Sequence, residues 1–283
     1  MSDNLARDQY ERSLASQWNA DRDLDWSTDT TLADPAVDAA RKRLINELYW
    51  SERQSLWTVQ RMNIPIKRYF EDHHLSLLAS AHTFDEARHS YVLERYCAKV
   101  GGLAECPTMW KVITRVADFM GSSVVNYFHS VLVSETLGEI LFSMLRHSRV
   151  DPLLKDICTR ALRDEARHII YVTECLRRIQ PQMSAVGRLR TRGILVAMVY
   201  FGLRSLRRTE ADAATLGVDK DDFLDYFERK LTGSIRRAGI ERVLDPDELH
   251  RIVGRFREHG DRHVEAHLVS ELTALEDGPD RPN

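Results

Sequence analysis

A five-residue sequence, Asp-Glu-Ala-Arg-His, occurs twice in the chain, at residues 85–89 and again at 164–168. Each copy contains Glu-x-x-His, and residues three apart on an α-helix lie on the same face. If the two helices face each other, their glutamates and histidines meet at one point: Glu86, His89, Glu165 and His168. A carboxylate-bound metal pair requires this set and one glutamate from each of two further helices. The repeat therefore predicts a helical bundle around a dinuclear metal site.

The first of the two further glutamates is chosen by the helix face on which it lies. Glu52 is in line with an apolar stripe that includes Leu48 and Val59, whereas Glu47 shares its face with polar residues. Burying an unpaired carboxylate costs several kcal/mol, and a bound metal ion compensates for that cost. Glu52 is therefore the predicted ligand on this helix.

Two candidates exist for the second glutamate, because Glu135 and Glu139 lie one turn apart on the same apolar face. We prefer Glu135, since its separation of 30 residues from Glu165 resembles the 34 residues between Glu52 and Glu86. Glu139 stays open as an additional ligand. Carboxylate oxygens bridge ferrous or manganous ions, and imidazole completes each ion without closing its open positions. We therefore expect two iron ions, with manganese or a mixed manganese–iron pair as alternatives.

Turn-forming residues are scarce, since only 13 glycines and 8 prolines occur in 283 residues. Long helices are therefore expected, and a many-stranded sheet is not. With a net charge of −3, the chain has no overall electrostatic field that would attract nucleic acid or an anionic membrane. The four cysteines form no Cys-x-x-Cys pair, the first residues lack the apolar core of a signal peptide, and the longest apolar run is too short to cross a bilayer. We therefore expect a cytoplasmic protein.

Helix start and stop signals divide the chain into an N-terminal arm (1–33), a four-helix core (34–181) and additional helices that complete the same domain (182–283). Asp-Pro pairs predict three helix starts, because aspartate caps a helix and proline is tolerated in its first turn. The core helices are predicted at 35–62, 65–101, 107–147 with a kink near Gly121, and 151–180. Further helices are predicted at 183–208, after Asp219, and from Asp245 to about Glu276.

Over about residues 35–180 the chain resembles the ferritin-like di-iron carboxylate oxygenases and oxidases, and the paired Asp-Glu-Ala-Arg-His motifs carry this resemblance. The superfamily includes p-aminobenzoate N-oxygenases, bacterial multicomponent monooxygenase hydroxylases and the ribonucleotide reductase small subunit. The resemblance implies an all-α fold, a ferritin-like four-helix bundle core with additional C-terminal helices. It implies that Glu86, His89, Glu165 and His168 bind metal. It also implies that Asp85 and Asp164 each accept a hydrogen bond from the outer nitrogen of a ligand histidine.

His82 lies one turn before Glu86 and shares its face. The N-oxygenases similarly have a third histidine ligand one turn before a Glu-x-x-His glutamate. In that family the extra histidine precedes the second motif, where this chain has Ala161. The sequence therefore leaves open whether His82 binds metal or lines a pocket beside it.

The function expected from this resemblance is oxygen activation by an oxygenase that hydroxylates or N-oxygenates a small organic substrate, with the four glutamates as catalytic ligands. Radical generation is disfavoured, because Leu93 occupies the position where the reductase family has its radical tyrosine. Iron oxidation or peroxide detoxification, as in ferritins and rubrerythrins, is the alternative. It is disfavoured because a cage subunit needs little beyond four helices, although the extra residues could equally form a homodimer interface.

Electrons for such a reaction are expected from outside the chain. The sequence has no flavin or nicotinamide fingerprint and no set of cysteines that would bind an iron–sulfur cluster. A ferredoxin or a separate reductase is therefore the expected partner, together with O₂ and the substrate. Aromatic and apolar residues are expected to line the substrate cavity: Phe84, Phe128, Leu132, Phe142 and Tyr171.

Overall fold

The computed structural model of the chain describes residues 4–111 and 123–259, and no strand occurs among them, which confirms the predicted all-α class. The helices that lie entirely within these ranges are α1 (Asn4–Ala15), α2 (Pro35–Phe70), α3 (His73–Val100), α4 (Val124–His147), α5 (Pro152–Ile179), α6 (Ala185–Thr215), α7 (Lys220–Ala238) and α8 (Pro246–His259). A short 3-10 turn at Gln180–Gln182 joins α5 to α6.

Capping hydrogen bonds account for the helix starts that the sequence predicts. The Asp34 carboxylate accepts a hydrogen bond from the Ala36 amide at 2.8 Å, and the Asp151 carboxylate accepts one from the Leu154 amide at 3.1 Å. Asp219 caps α7 in the same way. Each cap satisfies an amide that the first helical turn leaves without an intrahelical partner.

The break predicted at residues 63–65 is wrong, because α2 continues through it to Phe70. Proline inside a helix costs about 3 kcal/mol. Val59 and Ile66 lie on either side of Pro65, and both are buried in the same apolar cluster. Ending the helix between them would turn one away from the core, so apolar burial outweighs the cost of the proline. The next helix consequently begins at His73.

Two predicted helices are only partly described. The third core helix, expected from residue 107 to 147, is described at its C-terminal end as α4, and the expected kink near Gly121 lies outside the described residues. The last helix begins at Pro246 as expected, and its predicted continuation from 260 to Glu276 also lies outside the described residues.

Helices α2 to α5 form a four-helix bundle. The chain reverses direction between α2 and α3 and again between α4 and α5, and the helices of each pair pack along each other. The two pairs then meet through α2 against α4 and α3 against α5. The N-terminal α1 packs on α3 and α5, while α6 and α7 cover α4, and α8 lies on α7. The outer helices thus enclose the bundle on several sides.

A polar layer separates two apolar clusters inside the bundle. On α2, Tyr49 belongs to one cluster and Val59 to the other, with the buried Glu52 between them. On α5, Ala161 and Tyr171 likewise belong to different clusters, with the second copy of the repeat between them. Interrupting a core in this way is costly unless the buried charges are compensated.

One helix of the described residues, Val124–His147, is long and apolar enough to cross a membrane, and 67% of its apolar window is buried. This helix is α4, and its apolar side chains pack in the core of the bundle. A central bundle helix passes the same test of length and composition as a membrane span.

Candidate metal centre

Seven buried side chains from four helices form two groups that share Glu86. The first group consists of Glu52, Glu86, His89 and Glu165. The second group consists of His82, Glu86, Glu135 and His168. Within each group the potential ligand atoms lie within 4.8 Å of one another. The structure therefore brings together the residues selected from the repeat and from the two helix faces.

The Nδ1 atoms of both repeat histidines face the carboxylates at the centre of the bundle. His89 Nδ1 lies 3.1 Å from Glu52 Oε2 and 3.3 Å from Glu165 Oε1. His168 Nδ1 lies 2.9 Å from Glu135 Oε2. Each histidine thus presents one nitrogen to one of the two groups, where this nitrogen could complete the coordination of a bound ion.

The Nε2 atoms of the same histidines face away from the carboxylates at the centre, toward the aspartates of the repeat. His89 Nε2 lies 3.1 Å from Asp164 Oδ2, and His168 Nε2 lies 3.4 Å from Asp85 Oδ2. A carboxylate only accepts hydrogen bonds, so each Nε2 carries the proton and leaves the Nδ1 lone pair for a metal ion. The aspartate of each motif therefore orients the histidine of the other motif.

Two arginines of the repeat neutralise this pair of buried aspartates. Arg88 Nη2 lies 2.6 Å from Asp85 Oδ1 and 2.7 Å from Asp164 Oδ2. Arg167 pairs with the same two carboxylates, at 3.2 Å from Asp85 Oδ2. The four side chains alternate in charge and link α3 to α5. Every position of the repeated pentapeptide except the alanine therefore contributes to the centre or to the network around it.

The N-terminal arm completes this network, which the sequence did not indicate. Trp18 Nε1 donates a hydrogen bond to Asp164 Oδ2 at 2.9 Å, and Gln17 Nε2 donates one to Asp85 Oδ1 at 3.4 Å. Arg88 stacks on the Trp18 ring at 4.6 Å and donates to Gln17 Oε1 at 2.5 Å. No spacing rule connects residues so far apart along the chain, so only the fold reveals their role.

Burial and mutual repulsion shift the pKa values of the central carboxylates in different directions. Burial, followed by the charge of Glu135, raises the pKa of Glu165 to about 7. Burial and the charge of Glu86 raise the pKa of Glu52. Burial is the largest influence on Glu135 and raises its pKa, but the charges and hydrogen bonds of His82 and His168 together outweigh burial and lower the pKa of this carboxyl well below its usual range. The cluster therefore needs protons or cations to balance its negative charge.

Three buried polar atoms of the centre form no hydrogen bond with any of the described residues: Glu86 Oε2, Glu165 Oε1 and His82 Nε2. Leaving such atoms unpaired costs free energy, and metal coordination would satisfy them. Hard carboxylate oxygens combined with imidazole nitrogens suit iron and manganese, whereas soft thiolate donors would favour other metals. The donors present therefore fit a pair of iron ions or a manganese–iron pair.

The structure places the two alternative glutamates away from the centre. Glu47 accepts a hydrogen bond from Trp110 Nε1 at 2.8 Å. Glu139 belongs to neither group, and its carboxylate pairs with Lys230 of α7. The positions of the Glu52 and Glu135 side chains therefore agree with the facial argument that favoured Glu52 and with the spacing that favoured Glu135.

His82 lies among the potential ligands rather than at the edge of a pocket. Its ring stacks on that of His168 with 3.8 Å between centroids, and its Nε2 lies 3.4 Å from Glu135 Oε1.

The prediction that Phe84 lines the substrate cavity is wrong, because this residue is 58% exposed on the outer face of α3. Phe142 and Tyr171 do lie beside the centre, at 5.7 Å from the His89 ring and 6.0 Å from the His82 ring.

The fold and the donor set define a ferritin-like helical oxidoreductase of the oxidase and oxygenase class, with a site suited to two metal ions. The family model described as "P-aminobenzoate N-oxygenase AurF" matches residues 71–224, more than half of the chain. The chain belongs to this AurF family, which confirms the predicted superfamily. The match includes every residue of the two donor groups except Glu52.

Solved structures of R2-like ligand-binding oxidases share the fold. A variant with an aerobically reconstituted Mn/Fe cofactor has a TM-score of 0.64 at 16% identity, and the similarity covers 82% of this chain and 93% of that chain. A second variant, with an anaerobically reconstituted Mn/Fe cofactor, has a TM-score of 0.65 at 17% identity over the same shares. No curated protein sequence matches the chain.

Proposed function

We propose that the chain is an O₂-activating oxygenase that binds two iron ions, or one manganese and one iron ion, and hydroxylates or N-oxygenates a small organic substrate. The observation that carries this proposal is the pair of donor groups that share Glu86 in a chain of the AurF family. The Mn/Fe cofactor of the similar solved structures supports a paired metal site. A reduced metal pair would supply the electrons that activate dioxygen.

The protein's own residues hold, charge-balance and enclose this pair. Glu86 belongs to both groups and would be shared by the two metal positions, while the other six side chains would each help to hold one ion. His82 is the third histidine ligand, because its buried Nε2 is directed at the carboxylates, 3.4 Å from Glu135 Oε1, without forming a hydrogen bond among the described residues. The aspartate–arginine network fixes the histidine rings before a metal arrives, which limits the reorganisation needed for binding.

Matched glutamate pairs test the ligand assignment. Glu52→Ala and Glu135→Ala should each lower the metal content of anaerobically loaded protein below about two ions per chain, since each removes a ligand from a closed set. Glu47→Ala and Glu139→Ala should leave it unchanged, because these residues lie on the same two helices and pair with Trp110 and Lys230 instead. Loss of metal in only the second pair would contradict the site.

His82→Ala tests the third histidine separately. We expect it to weaken one ion of the pair and leave the other bound, because His82 belongs to only one group. Metal content after dialysis against a weak chelator should fall toward one ion per chain. An unchanged content would make His82 a neighbour of the centre and not a ligand.

The oxygenase activity is tested by adding O₂ to the anaerobically reduced, iron-loaded protein in the presence of aromatic amines, carboxylic acids and other aromatics. Oxygenated product should form once per reduced protein and repeatedly only when a ferredoxin or reductase resupplies electrons. Phe142 and Tyr171 beside the centre are consistent with an apolar or aromatic substrate. Failure of every candidate to yield product, with O₂ consumed by added ferrous iron instead, would favour the alternative.

Iron oxidation of the ferritin or rubrerythrin type is the alternative function. The helices α6, α7 and α8 cover α4 and each other, whereas a cage subunit uses its bundle surface for assembly. A monomer or dimer by light scattering that saturates near two irons per chain is expected. A many-subunit shell that takes up iron far beyond this would overturn the oxygenase proposal.

A further inference from the structure

Gly138 of α4 leaves a hollow directly above one group of the metal centre. It is buried, and it follows Glu135 by nearly one helical turn. A Cβ atom added at this position would lie 3.5 Å from Glu165 Oε2 and 3.7 Å from Glu52 Oε1. Among the described residues other than the immediate chain neighbours of Gly138, no side chain lies closer to that point. The glycine therefore faces two potential ligands across a space about as large as a methyl group.

Packing does not require glycine at this position. Distances of 3.5 Å and above are ordinary van der Waals contacts, so alanine would fit without a clash. Gly202 of α6 differs, because its added Cβ would lie only 2.8 Å from Leu137 Cδ1. A glycine inside a helix is less stable than alanine, so a buried glycine that is not needed for close packing calls for another explanation.

The two metal positions have four potential ligand residues each but differ in the kind of donor. The group below Gly138 contains Glu52, Glu86, Glu165 and a single histidine, His89. The other group contains two histidines with stacked rings. Glu165 Oε1, in the group that Gly138 faces, is buried and forms no hydrogen bond with the described residues, although His89 Nδ1 lies 3.3 Å away. The hollow therefore adjoins the position with only one histidine donor, where an added ligand would find space.

We propose that Gly138 keeps open the site where a small exogenous ligand, dioxygen in the reaction, reaches the metal position held by Glu52, Glu86, His89 and Glu165. This inference rests on the proposed metal pair. A methyl group in the hollow would occupy the volume that such a ligand needs, without displacing any metal ligand. Gly138 is thus a residue that determines access and not a residue that binds metal.

Azide binding to the iron-loaded, oxidised protein tests this role, because azide is a small anion whose coordination to ferric iron gives a visible absorption band. Gly138→Ala should keep two irons per chain but weaken azide binding about tenfold or more, as expected when one extra methyl group crowds a filled site. The metal-free variant should unfold at a temperature about 2 °C or more higher than the wild type, since alanine stabilises the helix.

Gly254→Ala in α8 is the matched control, because an added Cβ there meets no atom of the described residues within 4 Å. It should raise the unfolding temperature similarly and leave azide affinity unchanged. Equal azide affinity in Gly138→Ala and wild type would overturn this inference alone. A lower iron content in Gly138→Ala would also overturn it, because Gly138 would then be needed for metal binding itself. A wild-type protein that binds no metal pair would overturn the proposed function and this inference together.

Discussion

Each aspartate of the repeat serves the histidine of the other copy. Asp164 of α5 contacts His89 of α3, and Asp85 of α3 contacts His168 of α5. Neither copy is therefore complete by itself, and a change in one motif affects the metal position supplied by the other. This exchange gives a physical reason for repeating the whole pentapeptide rather than the glutamate and histidine alone.

Asp164→Asn should weaken metal binding without removing a ligand. The amide is a weaker acceptor for His89 Nε2–H, and the two arginines lose a charge partner. Loss of such a supporting contact typically lowers metal affinity about 10–100-fold. Competition with a chelator measures the change. Asp156→Asn is the control, since this aspartate lies on the same helix and pairs with Arg160 at the surface. An equal effect in both variants would contradict the supporting role.

A buried histidine away from the centre should make stability depend on pH. His129 Nδ1 donates to the Val125 carbonyl at 2.7 Å, and its Nε2 accepts from the Gln180 amide at 3.0 Å. Burial lowers the pKa of His129 from 6.5 to about 4. Between pH 6.5 and 4 the unfolded chain binds a proton at His129 that the folded chain does not bind. The buried neutral histidine therefore contributes its full stabilisation of the fold above pH 6.5, and this contribution is lost as the pH falls toward 4.

The difference in free energy of unfolding between wild type and His129→Gln should therefore become smaller as the pH falls from 6.5 toward 4. The contribution at stake is at most about 3 kcal/mol, from the shift multiplied by the free energy of one pKa unit. Urea unfolding at several pH values measures it. His147→Gln is the matched control, because His147 contacts the Ser143 carbonyl in the same way but is exposed. A constant difference for His129→Gln across the window would refute this linkage.

The central residues were predictable because helical periodicity links sequence spacing to position. The repeat identified two helices, the apolar stripe selected Glu52 over Glu47, and the spacing to Glu165 selected Glu135 over Glu139; the structure brings the selected residues together. The contacts of Trp18 with Asp164 depend instead on how the arm crosses the bundle. No local pattern encodes that path, so this part of the site could not be predicted.

At the scale of helices, boundaries without a glycine signal were the hardest to predict. The C-terminal end of α2 is capped by Glu71 in a left-handed conformation, φ 51°, which is unusual for a residue with a side chain. Asp72 then caps α3 at once through the amides of His74 and Leu75. Pro65, five residues before the end of α2, is the stronger stop signal in the sequence, but the apolar face of α2 continues beyond this proline. Tertiary packing decided the boundary.

The contact between α4 and α6 depends on a glycine. An added Cβ at Gly202 would lie 2.8 Å from Leu137 Cδ1, so Gly202→Ala should push the two helices apart or force Leu137 from its rotamer. Overpacking of this kind costs about 1–3 kcal/mol. Thermal unfolding of the metal-free protein measures the loss. In the double variant with Leu137→Ala the two costs should not add, because the clash is gone; additive costs would show that the contact does not matter.

For the whole molecule, the centre is the point at which four helices are joined. Each of α2, α3, α4 and α5 supplies at least one side chain of the two donor groups. Without metal these buried carboxylates repel one another and separate two apolar clusters. Metal ions would convert that repulsion into attraction across the bundle, and the unfolded chain offers no preformed site. Metal binding should therefore stabilise the entire fold and not a single helix.

Loading with ferrous or manganous ions should raise the unfolding temperature by about 8 °C or more. A ligand at a thousand times its dissociation constant stabilises the native state by about 4 kcal/mol, and each kcal/mol shifts the midpoint about 2–4 °C in a chain of this size. Glu86→Ala should abolish most of the shift, because Glu86 belongs to both groups. Glu139→Ala, which breaks only the surface-side pair with Lys230, should keep it. Equal shifts in both variants would mean that the metals bind elsewhere, and no shift in the wild type would mean that the polar layer is held together by protons alone.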